Sequence, residues 1–173
     1  VTNFDEYCNM LRICTRLTGD EEAYQTHGAA LEEQINRAKA RTDGSAPTVL
    51  YLRATGTSCK VKNSRDSVLG EMLFDLGCVN IADSREMLLE QLSLEAILQA
   101  DPEYIFAVLQ GADSTKARKT LEQTLLSNPA WQSLTAVREG RFFVLEHELY
   151  NLKPNAKWGE AYEKLADILY PTA

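Results

Sequence analysis

The spacing of apolar and polar residues divides the chain into helical and extended segments. Five segments repeat apolar residues with the period of an amphipathic helix: 3–18, 20–41, 66–76, 113–127 and 156–169. Three apolar runs have the length of strands that are buried on both faces: 48–54, 104–110 and 141–146. A short strand at 78–83 and a short helix at 93–99 are also expected. Strands that alternate with helices predict a three-layer α/β/α fold around a mostly parallel, Rossmann-like sheet.

The two helices that precede every strand are unusual for such a fold. We expect them to form a helical connector over 1–42, whose long helix leads into an α/β lobe over 43–173. His27 lies on the apolar face of that long helix, so we expect it to be packed rather than to bind a ligand.

Composition and charge argue against several classes of partner. The net charge of −7 and the pI of about 4.9 disfavour nucleic acid and an anionic membrane surface. No apolar run approaches the ~20 residues that span a bilayer. The cysteines Cys8, Cys14, Cys59 and Cys78 include no CxxC pair, which favours free structural thiols over a zinc site. The chain begins with Val1 and shows no signal peptide, so its start does not identify its compartment.

The stretch that follows the first predicted strand is unusually basic. Residues 53–65 contain Arg53, Lys60, Lys62 and Arg65 and no acid, although the whole chain is acidic. We expect 55–65 to be a long loop, and ligands bind beyond the carboxyl ends of the strands in open parallel sheets. A basic loop at that edge suggests an anionic ligand. A solvated, mobile loop is the alternative.

A second candidate segment follows the third strand. "EHELYNLKPNAKW" offers His147, Tyr150 and Lys153, and Tyr150 could stack on or hydrogen-bond a bound molecule. Trp158 lies on the apolar face of the last helix and is expected in the core.

Enzyme signals are thin. The chain has neither a dinucleotide-binding glycine motif nor a P-loop, and its two histidines cannot form a His-rich metal site. No nucleophile–base pair can be singled out.

Glu95 is a further candidate on the expected ligand side. Ser93 is a good N-cap, and the helix dipole favours a carboxylate in the first turn. The tight turn into strand 104–110 would direct Glu95 toward the carboxyl edge, where it could pair with an arginine of a partner. A purely helix-stabilising role remains equally open on these grounds.

Several segments resemble, in the same order, the substrate-binding proteins of ABC importers for iron–siderophore complexes, haem and cobalamin. The matching segments are "FDEYCNMLRICTRLTGDEEAY", "LFDLGCVNIADS", "LSLEAILQADPEYIF", "LLSNPAWQSLTAVREGRFFVLE" and "YNLKPNAKWGEAYEKLADILYP". The ordered set covers nearly the whole chain. The resemblance implies two α/β lobes joined by one long rigid helix, with the ligand in the cleft between them.

The resemblance also implies that this chain is one lobe of such a receptor. Residues 1–42 would be the end of the N-terminal lobe and the interlobe helix, and 43–173 the C-terminal lobe; the N-terminal lobe would be missing. The full-length protein would be extracytoplasmic, in the periplasm or on the outer face of the membrane as a lipoprotein. It would touch the membrane only through its tether.

The resemblance assigns roles to particular residues. Glu95 matches the S-x-E glutamate that docks onto arginines of the ABC permease, which works with its ATPase. Ligand contacts are implied for the loops after the strands, with these candidates: Arg53, Lys60, Lys62, Arg65, Arg85, His147, Tyr150 and Lys153. The expected ligand is an iron chelate, with a ferric siderophore favoured by the basic loop and haem or a corrinoid next. No resident metal, cofactor or catalytic residue is expected.

Two other classes of function remain as alternatives. An α/β enzyme domain could bind a phosphorylated metabolite through 54–65, although the glycine-rich motifs are missing. A cytoplasmic interaction domain of similar fold is the other. An upstream signal peptide with a lipobox would favour the importer over both.

Overall fold

The apolar runs form the centre of a mixed sheet. A computed structural model of the protein describes residues 1–65, 67–111 and 114–171. The strands are β1 (Thr48–Ala54), β2 (Cys59–Lys62), β3 (Val79–Asn80), β4 (Tyr104–Leu109) and β5 (Phe142–Leu145). Their order is β2-β1-β4-β5, with β3 beside the start of β1. All pairings are parallel except that of β1 with β2.

Helices cover both faces of this sheet. They are α1 (Phe4–Thr18), α2 (Glu21–Tyr24), α3 (Ala30–Lys39), α4 (Val68–Asp75), α5 (Met87–Glu90), α6 (Leu94–Ala100), α7 (Ser114–Leu121), α8 (Thr135–Arg138), α9 (His147–Tyr150) and α10 (Trp158–Leu169). π-helical turns follow α2 and α7, at Gln25–Ala29 and Glu122–Leu126. Short 3₁₀ turns lie at Pro129–Ser133 and Asn155–Lys157.

The two-residue period of the strands divides the core into two halves. Tyr51 and Phe106 face the side covered by α1, α3, α4 and α10. Leu52 and Ala107 face the side covered by α5, α6, α7 and α8. The predicted three-layer α/β/α fold is therefore confirmed. The helices of the predicted connector share the first core half, since Phe4 and Ile35 are buried there.

The long second helix differs from its prediction around His27. The π-helical turn inserts an extra residue into the helical repeat, which rotates the following side chains around the axis. His27 is exposed, whereas Gly28 is buried against Tyr24 and Leu11. The prediction that His27 packs is wrong for this reason.

The predicted loop at 55–65 contains a strand. Cys59 and Val61 point into the core, while Lys60 is exposed and Lys62 is partly exposed, the alternation of a half-buried strand. The turn from β1 is closed by a hydrogen bond from the Thr55 amide to the Ser58 carbonyl, 2.7 Å long. The hairpin was not predicted because basic residues at every second position of a strand resemble the composition of a loop.

Other differences concern short elements and helix ends. α5, α8 and α9 have four residues each, too few for a periodic pattern. The predicted starts of two helices, residues 66 and 113, lie outside the described residues, so those helices are described from Val68 and Ser114. All four cysteines are free, as predicted, and Cys14 is the exposed one.

Neither a membrane-spanning helix nor a metal-binding cluster is found in the part of the chain that the structure describes. Within residues 1–65, 67–111 and 114–171, no helix is long and apolar enough to cross a membrane. The same residues hold no cluster of three or more His, Cys, Asp or Glu that could bind a metal ion.

Candidate functional site

The β1–β2 hairpin brings three of the predicted basic residues to one face of the sheet. In the antiparallel register Arg53 lies opposite Lys60, and Tyr51 lies opposite Lys62. Residues directly opposite each other project to the same face, and so do residues two apart. The arginine and both lysines therefore form one basic surface, which we call the hairpin face (Arg53, Lys60 and Lys62).

The hairpin face lies beside the carboxyl edge of the parallel strands. β1 and β4 end level with each other, at Ala54 and Leu109, and the Gln110 amide bonds to the Ala54 carbonyl at 2.7 Å. The turn after β1 packs near α7, since a Cβ on Gly56 would lie 3.4 Å from the Lys116 Cβ. This is the edge at which open parallel sheets bind ligands.

The cations of the hairpin face have no acidic partner among the residues that the structure describes. Among the residues that the structure describes, no carboxylate forms an ion pair with Arg53, Lys60 or Lys62. On its other side Arg53 lies beside Val108 of β4, which offers no charge. Like charges placed directly opposite in a sheet destabilise it. An anion between Arg53 and Lys60 would relieve that repulsion.

Tyr51 is the one hydrogen-bond partner of the Arg53 side chain in the described part of the chain. The Nε and Nη2 groups of Arg53 donate to its hydroxyl oxygen at 3.3 and 3.0 Å. Burial raises the pKa of Tyr51, and the nearby guanidinium offsets only part of that rise, so the phenol is neutral. Sequence reasoning did not select Tyr51, although its position two residues before Arg53 in a strand was a usable signal.

The other two predicted arginines lie elsewhere. Arg65 lines a cleft of about 540 Å³ at the side of the sheet, together with Glu71, Asp83 and Glu86. Arg85 lines a groove of about 860 Å³ between α5 and α6. The structure therefore does not gather all the predicted basic residues into one site, and Arg65 shares its cleft with carboxylates.

The segment after β5 is only partly available to a ligand. His147 and Lys153 are exposed, and the His147 Nε2 lies 3.0 Å from the Asn151 side-chain nitrogen. Tyr150 is 1% exposed, and its hydroxyl donates to the Ala161 carbonyl at 3.0 Å. The structure thus places Tyr150 in the core rather than on the ligand side. Trp158 is buried in the core, as predicted.

Glu95 occupies the first turn of α6. The Ser93 hydroxyl accepts a hydrogen bond from the Ala96 amide at 3.3 Å, which confirms the predicted cap. Glu95 is exposed and forms no ion pair with the residues that the structure describes. The short turn at 101–103 joins α6 to β4, so we expect the start of α6 to lie toward the carboxyl edge.

Comparisons with known proteins agree on one family. A family model described as "Periplasmic binding protein" matches residues 1–149. The chain is 22% identical over 174 residues to the high-affinity heme uptake system protein IsdE of Staphylococcus aureus strain MRSA252, covering 97% of this chain and 59% of that protein. The chain thus spans well under two thirds of that relative's length.

Solved structures share the fold at low sequence identity. The structure of S. aureus IsdE complexed with heme matches with a TM-score of 0.81 and 16% identity, covering 98% of this chain and 66% of that one. The iron-uptake system-binding protein FeuA of Bacillus subtilis matches with a TM-score of 0.71 and 19% identity, covering 98% and 61%. At such identities the likeness supports the fold alone.

Proposed function

Because the chain belongs to the periplasmic binding protein family, we propose that it captures an iron chelate for an ABC importer outside the cytoplasmic membrane. The family consists of substrate-binding transport proteins, which leaves an enzyme domain without support. The observation that carries the proposal is the pair of opposed cations, Arg53 and Lys60, without an acidic partner in the described chain. Such a pair suits a ligand that presents carboxylates or other anionic groups.

A ferric siderophore is the ligand class that we favour. Its iron is held by the chelator, so the protein has only to match the shape and charge of the complex. The hairpin face can do so with Arg53, Lys60 and Lys62, and the exposed His147 and Lys153 can add contacts from the segment after β5. Arg65 and Arg85 could contribute only to a ligand that extends toward the adjoining cleft and groove that they line.

Haem is the second candidate, favoured by the likeness to IsdE complexed with heme. Haem also carries carboxylates, but its iron takes an axial ligand from the protein. His147 is the exposed histidine beside the carboxyl edge. Visible spectroscopy separates the two ligands: haem held through His147 gives a Soret band that changes in His147→Ala, whereas a ferric siderophore has no Soret band and should lose only the affinity of one added contact in that variant.

Charge reversal on the hairpin face tests the proposal. Binding of ferric siderophores and haemin is measured by calorimetry on the full-length receptor, for the wild type and for Arg53→Glu and Lys60→Glu. We expect each variant to lose at least about tenfold in affinity, since each replaces an attraction by a repulsion. Lys119→Glu in α7 is the control, because it changes the net charge equally at an exposed site. Equal losses in all three variants would contradict a local role.

We further propose that the receptor is larger than this chain, with a second lobe that completes the cleft. The second half of α1 supports this, because Ile13 and Leu17 are 60% and 83% exposed on the helix. Large apolar side chains on one helix face often mark a surface that another domain covers. We therefore expect this chain alone to bind a chelate weakly. Micromolar or tighter binding of a ferric chelate by the 173-residue chain would count against the second lobe.

Docking to the permease is proposed for Glu95, with an arginine of the permease as its partner. The exposed carboxylate at a capped helix start supports this role. Glu95→Gln in the full-length protein should abolish transport while chelate affinity and melting temperature stay near wild type. Glu90→Gln, at an exposed position in α5, is the control. If Glu95→Gln lowers only stability, the residue supports the helix and nothing more.

A further inference from the structure

The geometry around Arg53 points to a further functional residue, Tyr51. The two side chains lie on the same face of β1 because they are two residues apart. Tyr51 is completely buried, while Arg53 is half-buried. The Arg53 Cζ lies 5.8 Å from the centre of the Tyr51 ring, and two of its N–H groups reach the ring hydroxyl. A fully buried side chain thus makes hydrogen bonds with a longer, partly exposed one.

The hydrogen bonds leave a defined part of the guanidinium free. Arginine has five N–H donors in a rigid fork. The Tyr51 hydroxyl takes the edge formed by Nε and Nη2. The edge formed by Nη1 and Nη2 donates to no described residue, and this is a pair that can bind a carboxylate or phosphate with two parallel hydrogen bonds.

The chemistry of the holding group matters as much as its position. A carboxylate at the place of the Tyr51 hydroxyl would also orient Arg53, but it would neutralise the charge that attracts an anion. A neutral phenol fixes the side chain and leaves its charge available. The neighbours of Arg53 across the sheet agree with this, since they are Lys60 and Val108 and neither competes for the guanidinium.

We propose that Tyr51 is a positioning residue that holds Arg53 ready to bind an anionic group of the ligand. The gain in ligand affinity rests on the proposed function, but the hydrogen bonding of Arg53 to Tyr51 can be measured without any ligand. A prepositioned arginine loses less conformational freedom on binding, which raises affinity.

The test uses Tyr51→Phe in the 173-residue chain, since phenylalanine keeps the buried ring and removes only the hydroxyl. NMR measures the exchange of the Arg53 Nε–H with water, assigned by its disappearance in Arg53→Gln. We expect this proton to be protected in the wild type and to exchange at least about fivefold faster in Tyr51→Phe. Equal exchange in the two proteins overturns the inference, whatever the ligand does.

Binding is measured in parallel on the full-length receptor, with ferric citrate as the probe. We expect Tyr51→Phe to weaken binding by about fivefold to tenfold, and to have no further effect when Arg53 is already glutamine. An equal loss in the Arg53→Gln background would overturn the inference, because Tyr51 would then act on its own. Faster exchange in Tyr51→Phe together with no ferric citrate binding by the full-length wild type would support the positioning and contradict the proposed ligand class.

Discussion

The β1–β2 hairpin and the segment 146–157 lie at the same edge of the sheet but use their side chains in opposite ways. The hairpin turns its apolar residues, such as Val61, into one core half and leaves its cations on the other face. The segment 146–157 buries its tyrosine and leads into the buried Trp158 at the start of α10. The hairpin thus offers charge to a ligand, while the other segment mainly anchors the last helix.

This difference shows that position at the carboxyl edge does not by itself make a residue a ligand contact. The rule that ligands bind at this edge selects both Arg53 and Tyr150 as candidate contacts. What separates them is the partner of each polar group. The Tyr150 hydroxyl is satisfied inside the protein, whereas Arg53 keeps donors and a charge that no described carboxylate balances. The comparison can be tested by changing stability and binding separately.

The largest expected effect is on the anchoring side. Trp158→Ala should lower the free energy of unfolding by about 3–5 kcal/mol, because it empties a core site where the ring contacts Phe4 and Tyr7. Urea denaturation measures this. The control is Leu152→Ala in the same segment, where the side chain is 67% exposed and the loss should stay below about 0.5 kcal/mol. Similar losses in both variants would refute the anchoring role.

The buried face of the hairpin should make the protein sensitive to alkali. Burial raises the pKa of Cys59 from 9.0 to about 11. The folded state therefore holds this proton more tightly than the unfolded state, so the stabilisation is complete below pH 9 and is lost as the pH rises to about 11. The loss should be roughly 2 kcal/mol for this thiol.

Two variants isolate the contribution of Cys59 from that of other groups. Urea denaturation at several pH values should show a shallower alkaline decline in Cys59→Ala than in the wild type. Cys14→Ala should keep the full decline, because Cys14 is exposed. If the alkaline loss of stability is the same in Cys59→Ala as in the wild type, the buried Cys59 thiol does not cause it.

A smaller effect is expected at Tyr150. Tyr150→Phe removes the hydrogen bond to the Ala161 carbonyl and should cost about 1 kcal/mol of stability. Chelate affinity should stay unchanged, which calorimetry on the same samples can establish. A loss of chelate affinity with unchanged stability would instead show that Tyr150 contacts the ligand.

The layered fold was predictable because its signals are local and repeated. β1 and β4 are continuous apolar runs, and α10 follows one helical period throughout, so neighbouring residues report the same environment. β2 was not predicted because it has only four residues, two of them lysines. Charged residues on a half-exposed strand resemble those of a loop until the pairing with β1 is known.

The candidate site was predictable in residue type but not in arrangement. The basic character of 53–65 is visible in the sequence, yet the pairing of Arg53 with Lys60 depends on the length of the turn between two strands. The burial of Tyr150 depends on Ala161, eleven residues away on another helix. His27 was misplaced because a π-helical turn has no period of its own to recognise.

The smallest expected effect tests the repulsion between the opposed cations of the hairpin face. Lys60→Gln removes one of two like charges that lie opposite each other, so the anion-free protein should become more stable by about 0.2–1 kcal/mol at low salt. Added sodium chloride should shrink the gain, since salt screens exposed charges. Lys119→Gln in α7, at an exposed site, is the control for net charge. With ferric citrate present the wild type should become the more stable protein, because it gains stability from the bound anion.

A Lys60→Gln protein that is less stable than the wild type in anion-free, low-salt buffer would mean that Lys60 already has a favourable partner. The opposed cations would then no longer support a ligand site.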